Sequence, residues 1–306
     1  MMDLQEAALA TGGTAVGGNV SFQSVSTDSR AIQSGQLFVA LRGDRFDGHE
    51  FVAAVAGQGA AAAMVDRAWA ATHPVPLPLL VVEDTRLGLG KLAAGWRSRF
   101  DLPLIGVTGS NGKTTVKEMC AGILCAQARI DGFDPDLAVL ATRGNLNNDI
   151  GLPLMLLRLS GNHRSAVIEM GMNHPGEIGY LTHLAQPTVA LVNNAQRAHL
   201  QGMGSVNEVA REKGAIYEGL SSDGVAVINI DDPFAGYWRS INGGRRILTF
   251  GLSADADVSA RCTSHGFASD VVLISPKGEV QFRLQVPGQH NVRNALAAAA
   301  ACLSFF

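Results

Sequence analysis

The 306-residue sequence has few cysteines and no long hydrophobic run, and each shortage excludes a class of protein. Its four cysteines form no CxxC pair and stand apart from the histidines, which argues against a zinc site or a disulfide framework. The longest purely apolar run, residues 295–303, has nine residues, whereas a membrane span needs about 20. We therefore expect no insertion into a membrane.

Charge is also scarce. Charged residues make up 17% of the chain and the formal net charge is −3, so no general electrostatic attraction to nucleic acid or to an anionic membrane is predicted. The first 13 residues contain two acids and no basic residue, which is not typical of a signal peptide. Free cysteines of this kind are typical of a reducing compartment. The sequence predicts a cytoplasmic protein that binds no nucleic acid.

The length indicates about two domains. Short apolar runs alternate with polar turns over residues 1–84, which predicts a small N-terminal α/β domain. Residues 85–306 alternate buried strands with helical patterns, and this predicts a second α/β domain with a mostly parallel sheet. After Leu252 the pattern changes to antiparallel β ribbons. The predicted fold class is therefore α/β, with an antiparallel β extension of the second domain.

The strands and helices of the second domain follow from local periodicity. Thr85 is placed to cap a helix that ends near Phe100, and apolar residues recur with helical spacing over Lys113–Cys125. A final helix is predicted over Asn291–Leu303. The predicted buried strands are residues 104–108, 166–170, 188–193, 225–230 and 246–250, and the predicted ribbon strands are residues 258–262, 271–275 and 280–286.

The strongest local signal is the glycine-rich segment from Gly106 to Thr115, which joins a buried strand to an amphipathic helix. Glycines let backbone N–H groups approach phosphate oxygens, and the N-terminus of the helix adds positive potential. Lys113 is placed to reach the β- and γ-phosphates of a nucleotide, and Thr114 to reach Mg²⁺. Val107 stands where the general phosphate-loop motif has glycine. The alternative interpretation is a glycine-rich turn that binds nothing.

Two further side chains are predicted at the same edge of the sheet. Glu169 ends a buried strand, where a carboxylate is costly unless it is paired or bound to a metal. His199 lies a few residues after the next strand, and ligands of open α/β sheets bind at this edge. The alternatives are a core glutamate paired with an arginine, and a histidine whose hydrogen bonds are satisfied within its loop.

Other polar residues do not by themselves distinguish a binding role from a structural one. Lys213 lies on a predicted helix, where a solvated lysine is the expected reading from the sequence alone. The asparagines of residues 145–148 suit contact with a ligand, but such clusters also stabilise turns. Asn229, Asp231 and Asp232 end a strand and could hold a ribose or a base. The polar residues at the start of the last helix could equally be helix caps; they are His290, Asn291 and Asn294.

Taken together and in this order, these residues resemble the Mur ligase family of peptidoglycan synthesis. The phosphate loop alone indicates only the wider ligase group, which includes folylpolyglutamate synthases. The N-terminal stretches narrow the resemblance to members that take longer UDP-peptides, and residues 144–148 and 169–172 favour those that add D-alanyl-D-alanine. The matching stretches span nearly the whole chain: residues 28–30, 35–43, 46–49, 108–115, 144–148, 169–172, 175–178, 198–199, 212–214 and 288–291.

The resemblance implies a role for each matching residue. It implies that Lys113, Lys213 and His199 are catalytic, with Lys213 carbamylated so that an ammonium becomes a carboxylate-like metal ligand. Ser29 and Arg30 are implied to bind the UDP end of the substrate. The metal ligands implied for Mg²⁺ are Thr114, Glu169 and His199. The residues implied to bind ATP are Gly109, Ser110, Asn111, Gly112, Lys113, Thr114 and Thr115, with His290 and Asn291 flanking the adenine, and the further substrate contacts are Asn145, Asn147 and Asn148.

The reaction implied is an ATP-dependent amide ligation. ATP phosphorylates the terminal carboxylate of UDP-N-acetylmuramoyl-tripeptide, and the amine of D-alanyl-D-alanine then displaces the phosphate. The alternatives are a ligase that adds the third peptide residue, a remnant that binds nucleotide or UDP-substrate without catalysis, and an unrelated phosphate-loop ATPase. Residues 1–84 argue against the last, because such an ATPase needs no UDP-binding domain.

Two departures from the family pattern bear on activity. Ala215 stands where many members carry glutamate, and nothing in the sequence explains this change. The family has a C-terminal domain that follows the part matched here, so we expect the 306 residues alone to fold, to bind nucleotide weakly and to have little or no ligase activity. Residues 304–306 are an unusual helix ending and suggest a change of reading frame.

Overall fold

The computed structural model describes residues 1–196 and 204–305. The chain divides into two compact units: Met1–Phe100 with Asp149–Leu159, and Asp101–Asn148 with Ser160–Phe306. This division differs from the predicted boundary after residue 84. The reason is that the helix Thr85–Arg97 packs against Leu4–Thr11 and Gly151–Leu156, which both belong to the first unit.

The first unit is built on a five-stranded sheet in the order β2-β9-β8-β5-β4. Strands β4, β5, β8 and β9 are parallel, and β2 runs antiparallel at one edge. The strands of this unit are β1 (Met2–Asp3), β2 (Thr14–Val16), β3 (Ser21–Phe22), β4 (Ser24–Ser26), β5 (Gln36–Val39), β6 (Arg42–Gly43), β7 (Phe46–Asp47), β8 (Ala62–Asp66) and β9 (Leu79–Val82). The small α/β arrangement predicted here is confirmed.

Helices cover this sheet and bury its apolar side chains, among them Phe38, Val65 and Leu79. They are α1 (Leu4–Thr11), α2 (Val52–Gly57), α3 (Arg67–Ala70), α4 (Thr85–Arg97) and α7 (Gly151–Leu156), with a 3-10 helix at Gly48–Phe51. Asp84 caps α4, because its side chain accepts from the backbone N–H groups of Arg86 and Leu87. The cap predicted at Thr85 is therefore wrong; the Thr85 hydroxyl donates instead to the Ala40 carbonyl.

The second unit contains a six-stranded sheet in the order β11-β12-β10-β13-β14-β15. All its strand pairs are parallel, as predicted. The strands are β10 (Leu104–Thr108), β11 (Val139–Ala141), β12 (Ser165–Glu169), β13 (Val189–Val192), β14 (Val225–Asn229) and β15 (Arg246–Phe250). Their side chains are almost entirely buried, which explains why they read as continuous apolar runs.

Helices and an antiparallel ribbon complete the second unit. The ribbon strands pair in the order β16-β17-β18 and are β16 (Ser259–His265), β17 (Ala268–Ser275) and β18 (Gly278–Leu284). The helices are α5 (Lys113–Ile130), α6 (Pro135–Ala138), α8 (Glu177–Ala185), α9 (Val206–Gly214), α10 (Ala235–Ser240) and α11 (Gln289–Leu303), with a 3-10 helix at Ala215–Gly219. Helix α5 packs against α11 over a core that includes Cys120, Leu124 and Leu296.

The parallel sheet decides where chemistry is possible, because the carboxyl ends of its strands share one edge. Strands β10, β12 and β13 end there next to one another. The loops that follow these strands begin at Gly109, Met170 and Asn193.

No helix among residues 1–196 and 204–305 is both long and apolar enough to cross a bilayer.

Candidate nucleotide and metal site

The loop between β10 and α5 adopts the conformation that an anion-binding turn requires. Gly112 is the N-cap of α5 at φ 78°, in the left-handed region that favours glycine. A Cβ atom at this position would lie 2.6 Å from Asn294 Oδ1 and 2.7 Å from Asn193 Nδ2. Only glycine therefore fits here, and the first N–H groups of α5 point away from the helix toward a ligand.

Lys113 begins α5 and folds back over this loop. Its Nζ donates to the Gly109 carbonyl at 3.0 Å. Burial lowers the pKa of Lys113, and the negative charge of Glu169 opposes that shift. A cation held over the loop by a single backbone acceptor can exchange that acceptor for a phosphate oxygen.

Thr114 and Glu169 meet at the edge of the sheet. Thr114 Oγ1 donates to Glu169 Oε2 at 2.9 Å, and Asn147 Nδ2 donates to Glu169 Oε1 at 2.7 Å. Glu169 is 2% exposed. The alternative of a core glutamate paired with an arginine is wrong for the described residues, among which the Glu169 carboxylate accepts from a hydroxyl and an amide only.

This donor set fits a hard divalent cation. Mg²⁺ is bound in proteins by one or two carboxylates, with hydroxyl groups, water and substrate phosphates completing the shell. Glu169 and Thr114 supply a carboxylate and a hydroxyl beside the phosphate loop. Within residues 1–196 and 204–305 no group of three or more acidic, histidine or cysteine side chains is placed to form a metal cage of its own. His199, the third predicted metal ligand, lies outside the described residues.

Lys213 is 1% exposed, and the solvated helix face expected from the sequence alone is therefore wrong. Burial lowers the pKa of Lys213 to about 7, and the positive charge of Lys113 acts in the same direction. The adjacent Glu212 points elsewhere and accepts from the backbone N–H groups of Gly176 and Ile178 at 2.8 Å. At neutral pH a substantial fraction of the Lys213 amine is consequently uncharged, and an uncharged amine is nucleophilic.

A cavity of about 670 Å³ opens beside the phosphate loop. It lies between the ends of β13 and β14 and the first turn of α11, and its volume is in the range of small-molecule sites. The predicted residues Asn229, Asp231, Asp232 and His290 line it, together with Asn111, Gly112, Asn193, Asn194, Ala195, Gln196, Pro233, Arg293 and Asn294.

The start of α11 differs in part from the prediction. Gly288 is its N-cap and no side chain caps it, so the capping role considered for these residues is wrong. Asn291 is not among the residues that line the cavity; its side chain donates to the Pro287 carbonyl at 2.8 Å. Arg293, which the sequence did not single out, donates to Asp231 at 3.0 Å. Only the fold brings these two residues together, since they are 62 positions apart.

Side chains of the phosphate loop itself also serve to hold the loop. Ser110 Oγ accepts from the Gln196 N–H at 2.9 Å, and the Asn111 side chain donates to Gln196 Oε1 at 2.7 Å. In the asparagine cluster the Asn147 side chain donates to Glu169 Oε1, and the Asn145 carbonyl accepts from the Asn147 N–H. Asn147 thus helps to shape the carboxylate site.

The first unit has a cavity of its own, of about 470 Å³. The predicted residues Ser29 and Arg30 both line it. Arg30 forms a bidentate ion pair with Asp28, with distances of 2.9 and 2.8 Å, and this pair lowers the pKa of Asp28 to about 2. The other lining residues are Thr27, Asp28, Phe38, Phe46, Gly48 and Phe51.

Comparison with family models decides the classification. Residues 107–302 match the Mur ligase middle domain, and residues 21–97 match the Mur ligase family, catalytic domain. The chain belongs to the Mur ligase family. The first match alone covers more than half of the sequence, and it begins at the phosphate loop and ends in α11.

Individual Mur ligases are similar along most of this chain. The UDP-N-acetylmuramoyl-tripeptide--D-alanyl-D-alanine ligase of Escherichia coli (strain K12) is 43% identical over 94% of the chain, and that of Bacillus subtilis (strain 168) is 37% identical over 90%. The chain covers 61% and 57% of these two relatives. It thus spans about 60% of the length of the curated relatives that it matches.

Solved structures of Mur ligases agree with the fold. A crystal structure of MurF from Acinetobacter baumannii matches with a TM-score of 0.89 at 37% identity, covering 99% of this chain and 65% of that one. The crystal structure of MurF ligase from Thermotoga maritima in complex with ADP matches with a TM-score of 0.78 at 27% identity, covering 92% and 63%. The resemblance to the family that the sequence motifs indicated is confirmed.

Proposed function

We propose that this chain acts in an ATP-dependent amide ligase that joins D-alanyl-D-alanine to UDP-N-acetylmuramoyl-tripeptide in peptidoglycan synthesis. The observation that carries the nucleotide part is the hydrogen bond between Thr114 and the buried carboxylate of Glu169, beside Lys113 and the phosphate loop. Relatives that are 43% and 44% identical to the chain bear the name of this ligase, and they support the choice of substrates.

The phosphate loop and Lys113 serve to bind and orient the triphosphate. Backbone N–H groups at the start of α5 and the Lys113 ammonium offset negative charge where the γ-phosphate meets the carboxylate of the tripeptide. Mg²⁺, held by Thr114, Glu169 and His199, supplies further charge neutralisation on the phosphate oxygens when it is bound. The cavity next to the loop has room for the nucleoside, and His290, which lines this cavity, is proposed to contact the adenine.

Carboxylates are poor electrophiles, and this explains the need for ATP. The tripeptide carboxylate attacks the γ-phosphorus, which yields an acyl phosphate and ADP. The amine of D-alanyl-D-alanine then attacks the acyl carbon, and phosphate leaves. Residues 1–306 orient the triphosphate and offset its charge during the first of these steps.

Lys213 has the properties that carbamylation requires. Carbon dioxide reacts with an uncharged amine: a bond forms between Nζ and the carbon, and a proton is released. The lowered pKa of Lys213 makes the uncharged amine available near pH 7. The product is a carboxylate-like group in a buried position of the same unit as Lys113, and a negative group there offsets the charge of that lysine. We therefore include carbamylation of Lys213 in the proposed function.

Ser29 and Arg30 are proposed to bind the UDP end of the substrate at the cavity of the first unit. An arginine suits diphosphate recognition because its guanidinium can donate two parallel hydrogen bonds. Asn145, Asn147 and Asn148 are proposed to contact the substrate near Glu169. The reaction uses soluble nucleotide substrates, and we propose a cytoplasmic location, which cell fractionation can check.

The decisive assay supplies ATP, Mg²⁺ and UDP-N-acetylmuramoyl-tripeptide with D-alanyl-D-alanine, and follows phosphate release and the mass of the product. Release that depends on D-alanyl-D-alanine is expected. Release that occurs instead with diaminopimelate or lysine and the UDP-dipeptide would indicate the ligase for the third residue. Binding of UDP-tripeptide in calorimetry without any turnover would indicate a binding role only.

A second arm of the assay compares residues 1–306 with the same chain extended by the C-terminal region of a longer relative. We expect faster pentapeptide formation in the extended chain, because an acyl phosphate must be shielded from water and met by an oriented amine. Equal rates in both chains would mean that this region is dispensable for the reaction.

A further inference from the structure

The side-chain amide of Asn193 lies between two elements of the site. Asn193 directly follows β13, and its Nδ2 donates to the Asn111 carbonyl in the phosphate loop and to Asn294 Oδ1 on α11, both at 2.9 Å. A backbone carbonyl can only accept, so the orientation of this amide follows from the first bond. One NH₂ group therefore connects the phosphate loop to α11, the helix proposed to contact the adenine base.

Further amides hold Asn193 in place. Asn229 Nδ2, at the end of β14, donates to the Asn193 carbonyl at 2.8 Å, and Asn294 Nδ2 donates onward to Asn291 Oδ1 at 3.2 Å. The neighbouring Asn194 forms two bonds with the backbone of Asn111, at 2.9 and 3.0 Å. The loop, two strand ends and α11 are thus joined by carboxamides at this edge of the sheet.

The packing around Gly112 brings the loop and the helix close enough for this arrangement. A Cβ atom at Gly112 would overlap both Asn294 Oδ1 and Asn193 Nδ2. Both side chains therefore lie directly against the N-cap residue of α5. The bonds of Asn193 act on the anion-binding turn itself and not on a remote part of the loop.

One atom of Asn193 is left without a partner. Among the described residues, its Oδ1 is the single buried side-chain nitrogen or oxygen atom with no hydrogen bond. A buried acceptor without a donor costs free energy, so a simple structural role is better served by an apolar side chain or a hydroxyl at this position. The two donated bonds must therefore outweigh this cost.

We propose that Asn193 is a positioning residue that couples the two ends of the nucleotide site, so that holding the base against α11 also holds the phosphate loop. This rests on the proposed function, in which the cavity and the loop bind one nucleotide. Asn193 contacts the Asn111 carbonyl and Asn294, and it acts on the phosphates through them.

The test compares the affinities for ADP and for adenosine, measured by calorimetry, since their ratio reports what the phosphates contribute. We expect Asn193→Ala to lower this ratio by about three- to tenfold, the worth of one or two hydrogen bonds. Asn294→Ala should lower it similarly, and the double variant no further than the larger single effect, because both act through one bond. An unchanged ratio, or additive effects, would overturn the proposal.

A matched control separates coupling from a general loss of stability. Asn242 is 1% exposed and donates to the Trp238 carbonyl at 2.9 Å, away from the phosphate loop. Asn242→Ala also removes a buried amide, and the ADP-to-adenosine ratio should remain within twofold of the unsubstituted chain. If Asn193→Ala does not fold, Asn294→Ala against Asn242→Ala provides the same comparison.

Amide hydrogen exchange without nucleotide gives a second, independent readout. In Asn193→Ala we expect faster exchange both at Ser110 and Asn111 and in the first turns of α11, with neither change in Asn242→Ala. Faster exchange in one element only, or in neither, would contradict the coupling. If the unsubstituted chain binds no ADP, the proposed function is wrong, and the exchange measurement still decides the role of Asn193.

Discussion

Thr114 and Glu169 are joined by a hydrogen bond of 2.9 Å across the gap between α5 and β12. The two residues are 55 positions apart. Thr114 follows the phosphate loop and Glu169 ends β12, so both lie at the same edge of the sheet. The other oxygen of Glu169 accepts from Asn147. Both donors are neutral, so neither of these hydrogen bonds pairs the carboxylate with a positively charged side chain.

We expect Glu169→Gln to remove the effect of Mg²⁺ on nucleotide binding. In the unsubstituted chain Mg²⁺ should strengthen the binding of ATP, and the variant should lose at least about tenfold in Mg²⁺ affinity, as metal sites do when their ligand environment is altered. Calorimetric titration of ATP with and without Mg²⁺ measures this difference. Glu218→Gln, at an exposed position, is the control; an equal Mg²⁺ effect in all three chains would refute the assignment.

Lys113→Ala should abolish detectable ATP binding while the fold persists. A charge-assisted hydrogen bond to phosphate is worth about 1.5–3 kcal/mol, and its loss leaves the loop with backbone donors only. Burial already opposes the charge of Lys113, so its removal should not lower the thermal unfolding temperature. Lys91→Ala changes an exposed lysine and serves as the control. ATP affinity that survives in Lys113→Ala would disprove the role of this lysine.

Replacement of glycine by alanine should have opposite effects on the free energy of unfolding at the N-cap of α5 and within this helix. Gly112→Ala places a Cβ atom against Asn294 and Asn193 at φ 78°, and we expect a loss of about 1–3 kcal/mol in the free energy of unfolding together with weaker ADP binding. Gly122 lies on the exposed side of the helix with nothing within 4 Å of such a Cβ atom. Gly122→Ala should stabilise the chain by about 0.5–1 kcal/mol. Urea denaturation of both variants checks this, and equal effects would contradict it.

Stability should depend on pH through Lys213. Its pKa is about 7 in the folded chain, against an ordinary lysine value of 10.5, so between these values the unfolded chain binds more protons and stability rises with pH. Below pH 7 the full cost of burying the charge applies. The stabilisation gained in Lys213→Met should therefore be largest at pH 6 and should shrink toward pH 10. Urea denaturation in bicarbonate-free buffer, with Lys91→Met as control, measures this; a difference independent of pH would show that the amine is not protonated on unfolding.

Carbamylation of Lys213 is tested by a separate measurement. With ¹³C-labelled bicarbonate, the unsubstituted chain should show a carbamate resonance that is absent in Lys213→Met. The Lys91→Met control should retain the resonance. A signal that persists in Lys213→Met would assign the carbamate to another amine and remove Lys213 from that role.

Local sequence patterns were sufficient for the elements that carry the site. Strands β10 and β15 have the predicted bounds, and α5 begins at the predicted Lys113. Helix α5 runs to Ile130, five residues beyond the predicted end, because apolar positions continue through Leu124 and Ala128 without a breaking residue. These features depend on neighbours within a few positions, which any reader of the sequence can see.

The burial of Lys213 and the partners of Asn193 could not be predicted in this way. Lys213 lies on a helix whose local pattern favours exposure, and it is buried because α9 packs against α8 and the following 3-10 helix. The two acceptors of Asn193 are 82 and 101 positions away along the chain. Contacts at such separations leave no periodic trace in the sequence.

The sequence by itself therefore determined five of the six strands of the parallel sheet, the phosphate loop and the resemblance to the Mur ligases, since all three depend on short-range patterns. The tertiary structure alone decided which polar groups meet at the edge of the sheet. The pairing of Thr114 with Glu169, and of Asn193 with Asn111 and Asn294, depends on how parallel strands align their carboxyl ends. That alignment is set by the packing of the whole sheet and its helices, and no single segment encodes it.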